Sequence, residues 1–264
     1  MRIFLILCYF SCNIQDTLHK KIAAMYYIPT VTSEFEKFNF EDNKQKYTKT
    51  ELGVITDTGS YKGFTFELEI TTNNYNIVRN YSKLDNGKIQ SVYELIYYNN
   101  SPFMIRKDFY ANGNIKQKGL YIIHGDYYKG TWYYYNEKGD LTNSIDNDVF
   151  FKYTWEDLST FMKENDIQIS LGKPKGENIL TRIYSNPTKL FPESSIKEIG
   201  QVLPTPLWTI TWRKPTRPQN EYTEVSLDGT TGKMGYRKKY TVAEEPGDEG
   251  TEEIEYFDIS KDKK

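Results

Sequence analysis

The chain has few of the residues on which most metal sites and many enzymes depend. Among its 264 residues are two cysteines, Cys8 and Cys12, and two histidines, His19 and His124. A metal site needs several Cys or His ligands at short spacing, and Cys–His catalysis needs a thiol beside an imidazole. The sequence contains neither pattern. It therefore predicts no metal site, no cofactor and no enzymatic activity.

Charge of one sign and long apolar runs are also scarce. The formal net charge is −2 at pH 7, and no basic patch stands out, so we expect no nucleic-acid partner. Hydrophobic residues make up 38% of the chain, yet aromatic residues alone make up 16%, with 23 Tyr and 14 Phe. Many short aromatic segments without long apolar runs predict a mostly β protein.

Three glycines in the middle of the chain are equally spaced. They are Gly87, Gly113 and Gly139, for which 113 − 87 = 26 and 139 − 113 = 26. Two residues after each glycine comes an aliphatic residue, respectively Ile89, Ile115 and Leu141. Turn glycines at a fixed period, each leading into an aliphatic side chain, predict an array of antiparallel β-hairpins.

The stretch around Gly130-Thr131-Trp132 is the best-formed copy, and it resembles a MORN repeat. The other residues that carry the resemblance are Gly119, Tyr134-Tyr135, Gly139-Asp140-Leu141 and the opening Tyr110-Ala111-Asn112-Gly113. The likeness is to the variant that is common in bacterial exported proteins, and it extends over about a quarter of the chain. It implies antiparallel hairpins with aromatic ladders that serve as a scaffold or partner-binding module. An ordinary antiparallel sheet with Tyr-rich strands is the alternative.

The aromatic side chains of this block form the candidate binding surface. In a strand over residues 127–135, alternation places Trp132 and Tyr134 on one face and Thr131, Tyr133 and Tyr135 on the other. Tyr and Trp are the residue types that dominate protein-binding hot spots. The candidate binding residues are Tyr121, Tyr128, Trp132, Tyr133 and Tyr135.

Different partners fit such a surface. A protein partner bound by a scaffold is the first interpretation, and an immunity-type protein that neutralises a secreted toxin is one specific form of it. The alternative is a polysaccharide- or peptidoglycan-binding protein whose rings stack on sugar faces. A planar row of Trp132, Tyr133 and Tyr135 rings open to solvent would favour a glycan, whereas a mixed patch would favour a protein. Rings that only cover one another between hairpins would favour neither.

Residues 1–12 resemble a bacterial lipoprotein signal. Arg2 precedes an apolar run over residues 3–10, which is too short to span a bilayer but fits a short secretory segment. Ser11 directly precedes Cys12, whose thiol would take the lipid and become the mature N-terminus. We therefore expect a lipid-anchored protein of the bacterial cell envelope, on the periplasmic or surface side of a membrane. A secreted or a cytoplasmic protein is the alternative.

The rest of the chain divides by composition into segments of different character. A helical spacing of apolar residues over 155–165, with Thr154 as N-cap, predicts one amphipathic helix. From residue 244 to 255 the chain has acidic but no basic residues, which predicts disorder. The expected segments are a signal over 1–12, a tether over 13–50, a MORN-like hairpin region over 51–153, a smaller α+β subdomain of helix and antiparallel sheet over 154–243 and an acidic disordered tail over 244–264.

The mature N-terminus tests the lipoprotein interpretation. Mass spectrometry of the protein purified from its native cells should show a chain that begins at Cys12 and carries a diacylglycerol mass, because cleavage precedes the modified cysteine. A Cys12→Ser variant is the control and should remain uncleaved and unmodified. A wild-type chain that begins at an unmodified Met1 would refute both the lipid anchor and the envelope location.

Overall fold

Antiparallel hairpins build most of the described chain. A computed structural model of the protein describes residues 26–56, 59–175, 181–186, 206–213, 221–242 and 250–257. The predicted signal with Cys12, and residues 13–25 of the predicted tether, lie outside these ranges. Within them, strands predominate, the hairpin strands pair antiparallel and one α-helix is present. The prediction of a mostly β protein built from antiparallel hairpins with one helix is therefore confirmed.

The chain divides into two compact units. The first unit consists of Ile28–Val149 with the described part of Ser170–Glu177, and the second of Phe150–Ile169 with the described part of Asn178–Lys264. In the first unit an eight-stranded sheet has the order β1-β2-β3-β4-β5-β6-β8-β9. The strands of this unit, of which the two-residue β7 is not part of that sheet, are β1 (Thr48–Thr56), β2 (Gly59–Thr71), β3 (Tyr75–Leu84), β4 (Ile89–Tyr98), β5 (Phe103–Phe109), β6 (Ile115–Ile122), β7 (Gly125–Asp126), β8 (Tyr128–Tyr135) and β9 (Leu141–Asp146).

Three hairpin turns of this sheet are built alike. Gly87, Gly113 and Gly139 have φ angles of 86°, 85° and 97°, in the left-handed region that favours glycine. In each turn the glycine N–H donates to the carbonyl three residues earlier, over 2.8 to 2.9 Å. An asparagine in each turn accepts a backbone N–H from two residues further on. Each hairpin also contains a register shift. The 26-residue spacing thus corresponds to a repeated three-dimensional geometry.

One side of the sheet, which we call the covered face, is packed by the segment that precedes β1. It carries the buried cluster of Phe38, Tyr81, Val92, Phe109, Ile115 and Tyr135. The Phe38 ring meets Tyr81 and Phe109 nearly edge-on, with centroids 6.2 and 5.4 Å apart, and the Phe38 N–H donates to the carbonyl of Gly113 over 2.7 Å. Residues 28–47, assigned to the tether from sequence, therefore lie within this unit, because burying their aromatic side chains is favourable.

A buried lysine fixes this segment to the covered face. The side chain of Lys118 is 1% exposed, and its ammonium donates to a Glu36 carboxylate oxygen and to the carbonyl of Glu34, both over 2.6 Å. The ammonium of Lys107 lies 2.5 Å from the other oxygen of Glu36. Burial by itself would raise the pKa of Glu36, but the hydrogen bonds and charges of the two lysines outweigh it and hold that pKa below its ordinary value.

The ion pairs continue across the same face. Lys107 also lies 3.0 Å from Glu94, which pairs with Arg79 at 2.7 Å, and Arg79 reaches Asp42 at 2.6 Å. Burial would lower the pKa of Lys107, yet the charge of Glu94 and the contact with Glu36 raise it. Positive and negative groups therefore alternate from β6 to β3. This network joins the segment that precedes β1 to the middle of the sheet at two residues, Glu36 and Asp42.

The second unit contains the helix and a second antiparallel sheet. The helix α1, Trp155–Glu164, begins at the predicted N-cap Thr154, which forms a capping box with Asp157, and it buries Trp155, Leu158 and Met162. No helix among the described residues is long and apolar enough to cross a bilayer. In the order β14-β13-β12-β11-β10, the strands are β10 (Thr181–Asn186), β11 (Leu207–Trp212), β12 (Glu221–Asp228), β13 (Met234–Thr241) and β14 (Glu252–Tyr256).

Strand β14 lies within the segment that the sequence predicts as a disordered acidic tail. Its glutamates lie along the basic strand β13, where Glu255 is opposite Arg237 and Glu253 is opposite Lys239. Lys238 pairs with Glu252 at 2.8 Å. Opposite charges across strands stabilise such pairing, which a count of charges within the segment alone misses. Residues 244–249 and 258–264 of the predicted tail lie outside the described ranges.

Removal of the Glu36 charge should destabilise the first unit in a pH-dependent manner. At pH 7, Glu36→Gln should lower the free energy of unfolding by about 3 kcal/mol, because Lys118 loses its carboxylate while buried. The folded pKa of Glu36 is depressed, so its stabilisation is complete above the ordinary value of 4.5 and is lost as the pH falls through the lower folded value. The difference between wild type and variant should therefore shrink in acid.

Urea unfolding followed by circular dichroism over a pH series measures this difference. The matched control is Glu41→Gln, which breaks the exposed pair of Glu41 with Lys44 and should cost less than about 0.5 kcal/mol at pH 7. Equal losses for the two variants would show that the buried pairing of Lys118 does not stabilise the unit.

Candidate functional site

The side of the first sheet opposite the covered face is lined by tyrosines, and we call it the tyrosine face. Paired residues on neighbouring antiparallel strands lie on the same face, so the register defines it. One row places Tyr93, Asp108, Gln117 and Tyr134 successively opposite one another on β4, β5, β6 and β8. The half-buried members of this face are Tyr93, Arg106, Asp108, Gln117, Tyr121, Tyr128 and Tyr134.

A polar group of three side chains occupies the middle of the tyrosine face. The Arg106 Nε lies 3.1 Å from Asp108 Oδ2, and the Gln117 amide donates to the same carboxylate over 2.6 Å. Burial would lower the pKa of Arg106, but the hydrogen bond and charge of Asp108 outweigh it and raise that pKa. The guanidinium therefore stays charged and is held in a fixed orientation, with 41% of its side chain exposed.

The rings around this group contact one another. Tyr121 and Tyr128 meet edge-on with centroids 5.1 Å apart, and Tyr128 meets Trp132 at 4.7 Å. Such edge-to-face pairs add about 1 kcal/mol beyond the burial of their surface. The Tyr121 hydroxyl donates to the carbonyl of Gly125 over 3.0 Å, and its oxygen lies 3.2 Å from Asp126 Oδ1. The surface is therefore pre-ordered rather than a set of freely rotating side chains.

The phenols of this face remain protonated at neutral pH. Burial raises the pKa of Tyr121 to about 12, and the charge of Asp126 adds to the effect. Burial raises the pKa of Tyr97 to about 12 as well, and it also raises the pKa values of Tyr93 and Tyr128. These side chains thus present neutral rings with hydroxyl groups that donate and accept hydrogen bonds.

Trp132 is buried beneath the tyrosine face. Its indole is 1% exposed, its Nε1 donates to the carbonyl of Leu120 over 2.9 Å, and its ring lies on Gly119. A Cβ atom at position 119 would come within 2.3 Å of the indole. The glycine is therefore required for the close approach of the ring, which gives a physical reason for the pairing of Gly119 with Gly130-Thr131-Trp132 in the sequence.

The five candidate binding residues do not form one surface. Tyr121, Tyr128 and Trp132 come together on the tyrosine face, although Trp132 is buried. Tyr133 and Tyr135 lie on the covered face, where Tyr135 is 4% exposed and its hydroxyl donates to the carbonyl of Ser33 over 2.9 Å. The planar row of Trp132, Tyr133 and Tyr135 open to solvent is therefore not formed.

Five of the half-buried residues of the tyrosine face are absent from the sequence-predicted set. Tyr93, Arg106 and Asp108 come from β4 and β5, outside the best-formed repeat, whereas Gln117 and Tyr134 lie within it. The signal that identifies them is the turn position: hairpins closed at Gly87 and Gly113 fix which residues of these strands lie opposite each other. Alternation then places Tyr134 with Trp132, as the sequence predicts.

The described residues offer little else on which chemistry could be built. They include no group of three or more His, Cys, Asp or Glu side chains arranged to hold a metal ion. The second unit has an open cavity of about 650 Å³ beside Trp212, Arg237, Lys239 and Glu221. Its lining contains both positive and negative side chains. The cavity therefore does not indicate one class of ligand.

Comparisons with known proteins leave the argument to the residues themselves. No protein-family model matches this chain, and no curated protein or solved structure matches it either. The resemblance to MORN repeats therefore depends on the quoted glycines and aromatic residues, and functional inference depends on the geometry of the tyrosine face.

Substitution of Gly119 tests the packing beneath the tyrosine face. Gly119→Ala should lower the free energy of unfolding by about 3 kcal/mol, because the new methyl group overlaps the buried indole and the sheet must shift. The matched control is Gly130→Ala, whose φ is 63° but whose Cβ would meet no atom within 4 Å. That variant should lose only about 1 kcal/mol, from backbone strain.

Chemical denaturation followed by Trp fluorescence measures both variants. Near-equal losses would contradict the claim that Gly119 is required for the Trp132 ring rather than for backbone conformation.

Proposed function

We propose that this protein is a non-catalytic binding protein whose tyrosine face contacts a protein partner. The observation that carries the proposal is the half-buried pair of Arg106 and Asp108, which is surrounded by tyrosine side chains. Tyr, Trp and Arg are the residue types most enriched where binding energy concentrates. A half-buried, pre-ordered group also loses little side-chain entropy on binding.

The mixed composition of the face favours a protein partner over a polysaccharide. Stacking on sugars requires a flat row of open rings, whereas Trp132 is buried and Tyr121 and Tyr128 meet each other edge-on. Arg106 and Asp108 at the centre instead offer donors, acceptors and both charges, as in the polar parts of protein interfaces. An immunity-type role, in which the partner is a secreted toxin, is one specific form of this proposal.

The cellular setting is a further part of the proposal. The three alike turns support the MORN-like scaffold interpretation, because repeated hairpins of that kind generate a regular surface. The lipoprotein-like signal at residues 1–12 supports anchorage in a bacterial cell envelope through Cys12. Anchorage would hold the tyrosine face near the membrane, where an envelope or secreted protein is the natural partner.

Photo-crosslinking from the tyrosine face tests the proposal. A photoreactive phenylalanine analogue at Tyr134, introduced in the native cells, should give a discrete protein adduct, because this position borders the central polar group. The same analogue at Tyr256, which is 77% exposed in the second unit, is the control and should not give that adduct. Identical adducts from both positions, or only carbohydrate adducts from Tyr134, would contradict the proposal.

Affinity for the identified partner then tests the central arginine. Arg106→Ala should weaken binding at least about tenfold, because it removes a positioned guanidinium from the centre of the interface. The matched control is Arg182→Ala, which removes an exposed arginine of the second unit and should leave the Kd unchanged. Isothermal titration calorimetry measures both, and equal affinities for wild type and Arg106→Ala would exclude this group from the interface.

A further inference from the structure

Strand β9 is an exposed edge of the eight-stranded sheet. It pairs with β8 on one side and ends the strand order on the other. All of its residues are exposed except Ile145, which is half-buried, and Leu141 is 50% exposed. An edge strand presents unpaired backbone donors and acceptors, which a further strand can bind.

The backbone of β9 shows which groups face outward. The Asn147 N–H donates to the carbonyl of Gly130 over 3.0 Å, so the backbone N–H of residue 147 points towards the neighbouring strand β8. Alternate residues of a strand direct their N–H and carbonyl groups to opposite sides. Ser144 accordingly faces away from β8, and its N–H donates over 2.8 Å to the Asn143 side-chain oxygen of the same strand. The outward donor is therefore capped by an exposed side chain of the same strand.

The sequence of β9 lacks two of the residue types that usually protect an edge, although the strand has a register shift opposite Tyr134 and Tyr135. Natural edge strands are often blocked by lysine or proline, and Leu141–Asp146 contains neither. Acidic residues instead lie at its two ends, where Asp140 and Asp146 are exposed and form no ion pair with a described residue. Each carboxylate accepts one local hydrogen bond, Asp140 from the Asn136 amide over 3.0 Å and Asp146 from the Asp148 N–H over 3.1 Å. Between them the strand is uncharged.

These two acids discriminate between possible occupants of the edge. If a second copy added its own β9 antiparallel, Asp140 of one chain would lie near Asp146 of the other at both ends. If the β9 strand of the second copy were added in parallel, Asp140 and Asp146 would each lie beside the same residue of the other copy. Like charges across strands are destabilising, so the edge is unfavourable for self-pairing in either direction. A segment with basic ends would instead gain at both acids.

We propose that β9 binds an extended segment of a partner protein as an added strand, and that this segment is uncharged in its centre and has Lys or Arg near both ends. Its backbone takes the outward groups around Ser144, and its basic side chains pair with Asp140 and Asp146. This site is separate from the central polar group of the tyrosine face, and it does not depend on that face being an interface.

Two synthetic peptides test the charge requirement with the intact protein. One is a heptapeptide of alternating Thr and Val with Lys at both ends, and the other is identical but has Glu at both ends. The lysine peptide should bind at least about tenfold more tightly, because two attractive pairs replace two repulsive ones. It should also slow hydrogen exchange of the Ser144 amide in NMR spectra. Equal affinities, no binding of the lysine peptide, or unchanged Ser144 exchange would overturn the proposal.

Two variants with opposite expected effects test the backbone contact. Ser144→Pro removes the outward N–H but leaves the bonds of β9 to β8, and it should abolish peptide binding. Asn143→Ala removes the side chain that caps this N–H and should increase affinity severalfold. The Asn143→Ala result stands on its own if Ser144→Pro is unfolded by circular dichroism. Undiminished binding by a folded Ser144→Pro, weaker binding by Asn143→Ala, or a wild-type dimer that Ser144→Pro dissociates would overturn the proposal.

Discussion

The buried ammonium of Lys118 determines which side of the first sheet is covered. A charged group that is 1% exposed is tolerated only with close compensation, and Glu36 and the carbonyl of Glu34 provide it. Both belong to the segment that precedes β1, so this segment has to lie on the covered face. Phe38 then fills the aromatic cluster beside it. The opposite side is left to tyrosines that are only half-buried.

The β8–β9 hairpin brings the two proposed interaction sites into one element. Its first strand supplies Trp132, whose indole packs on Gly119 and supports the tyrosine face. Its second strand is the open edge with Ser144 at its centre. Packing beneath one strand and exposure of the other arise together, because a terminal hairpin has a neighbour on one side only. A partner large enough to cover the face could therefore reach the edge as well.

Sequence periodicity predicts the hairpins but not which charged residues pair with one another in the folded protein. Gly87, Gly113 and Gly139 adopt the positive φ that the repeat spacing requires, since a turn is a local property. Alternation also separates Trp132 from Tyr133 and Tyr135 correctly. The ion pair of Glu36 with Lys118 joins residues far apart in the chain, so composition alone predicts a polar tether at residues 28–47. Composition predicts disorder for the acidic strand β14 for the same reason, because its stabilising partners lie on β13.

The three alike turns also constrain how such a sheet can change its size over evolution. Each 26-residue period contains two strands of the eight-stranded sheet, so all three glycine turns lie at the same end of that sheet. Duplication or loss of one period would therefore add or remove a whole hairpin without inverting the strands that follow. Lys118 sets a limit on this freedom, because any duplication between it and Glu36 would have to preserve their meeting on the covered face. The number of strands in the sheet can thus vary while the ion pairs at its centre are kept.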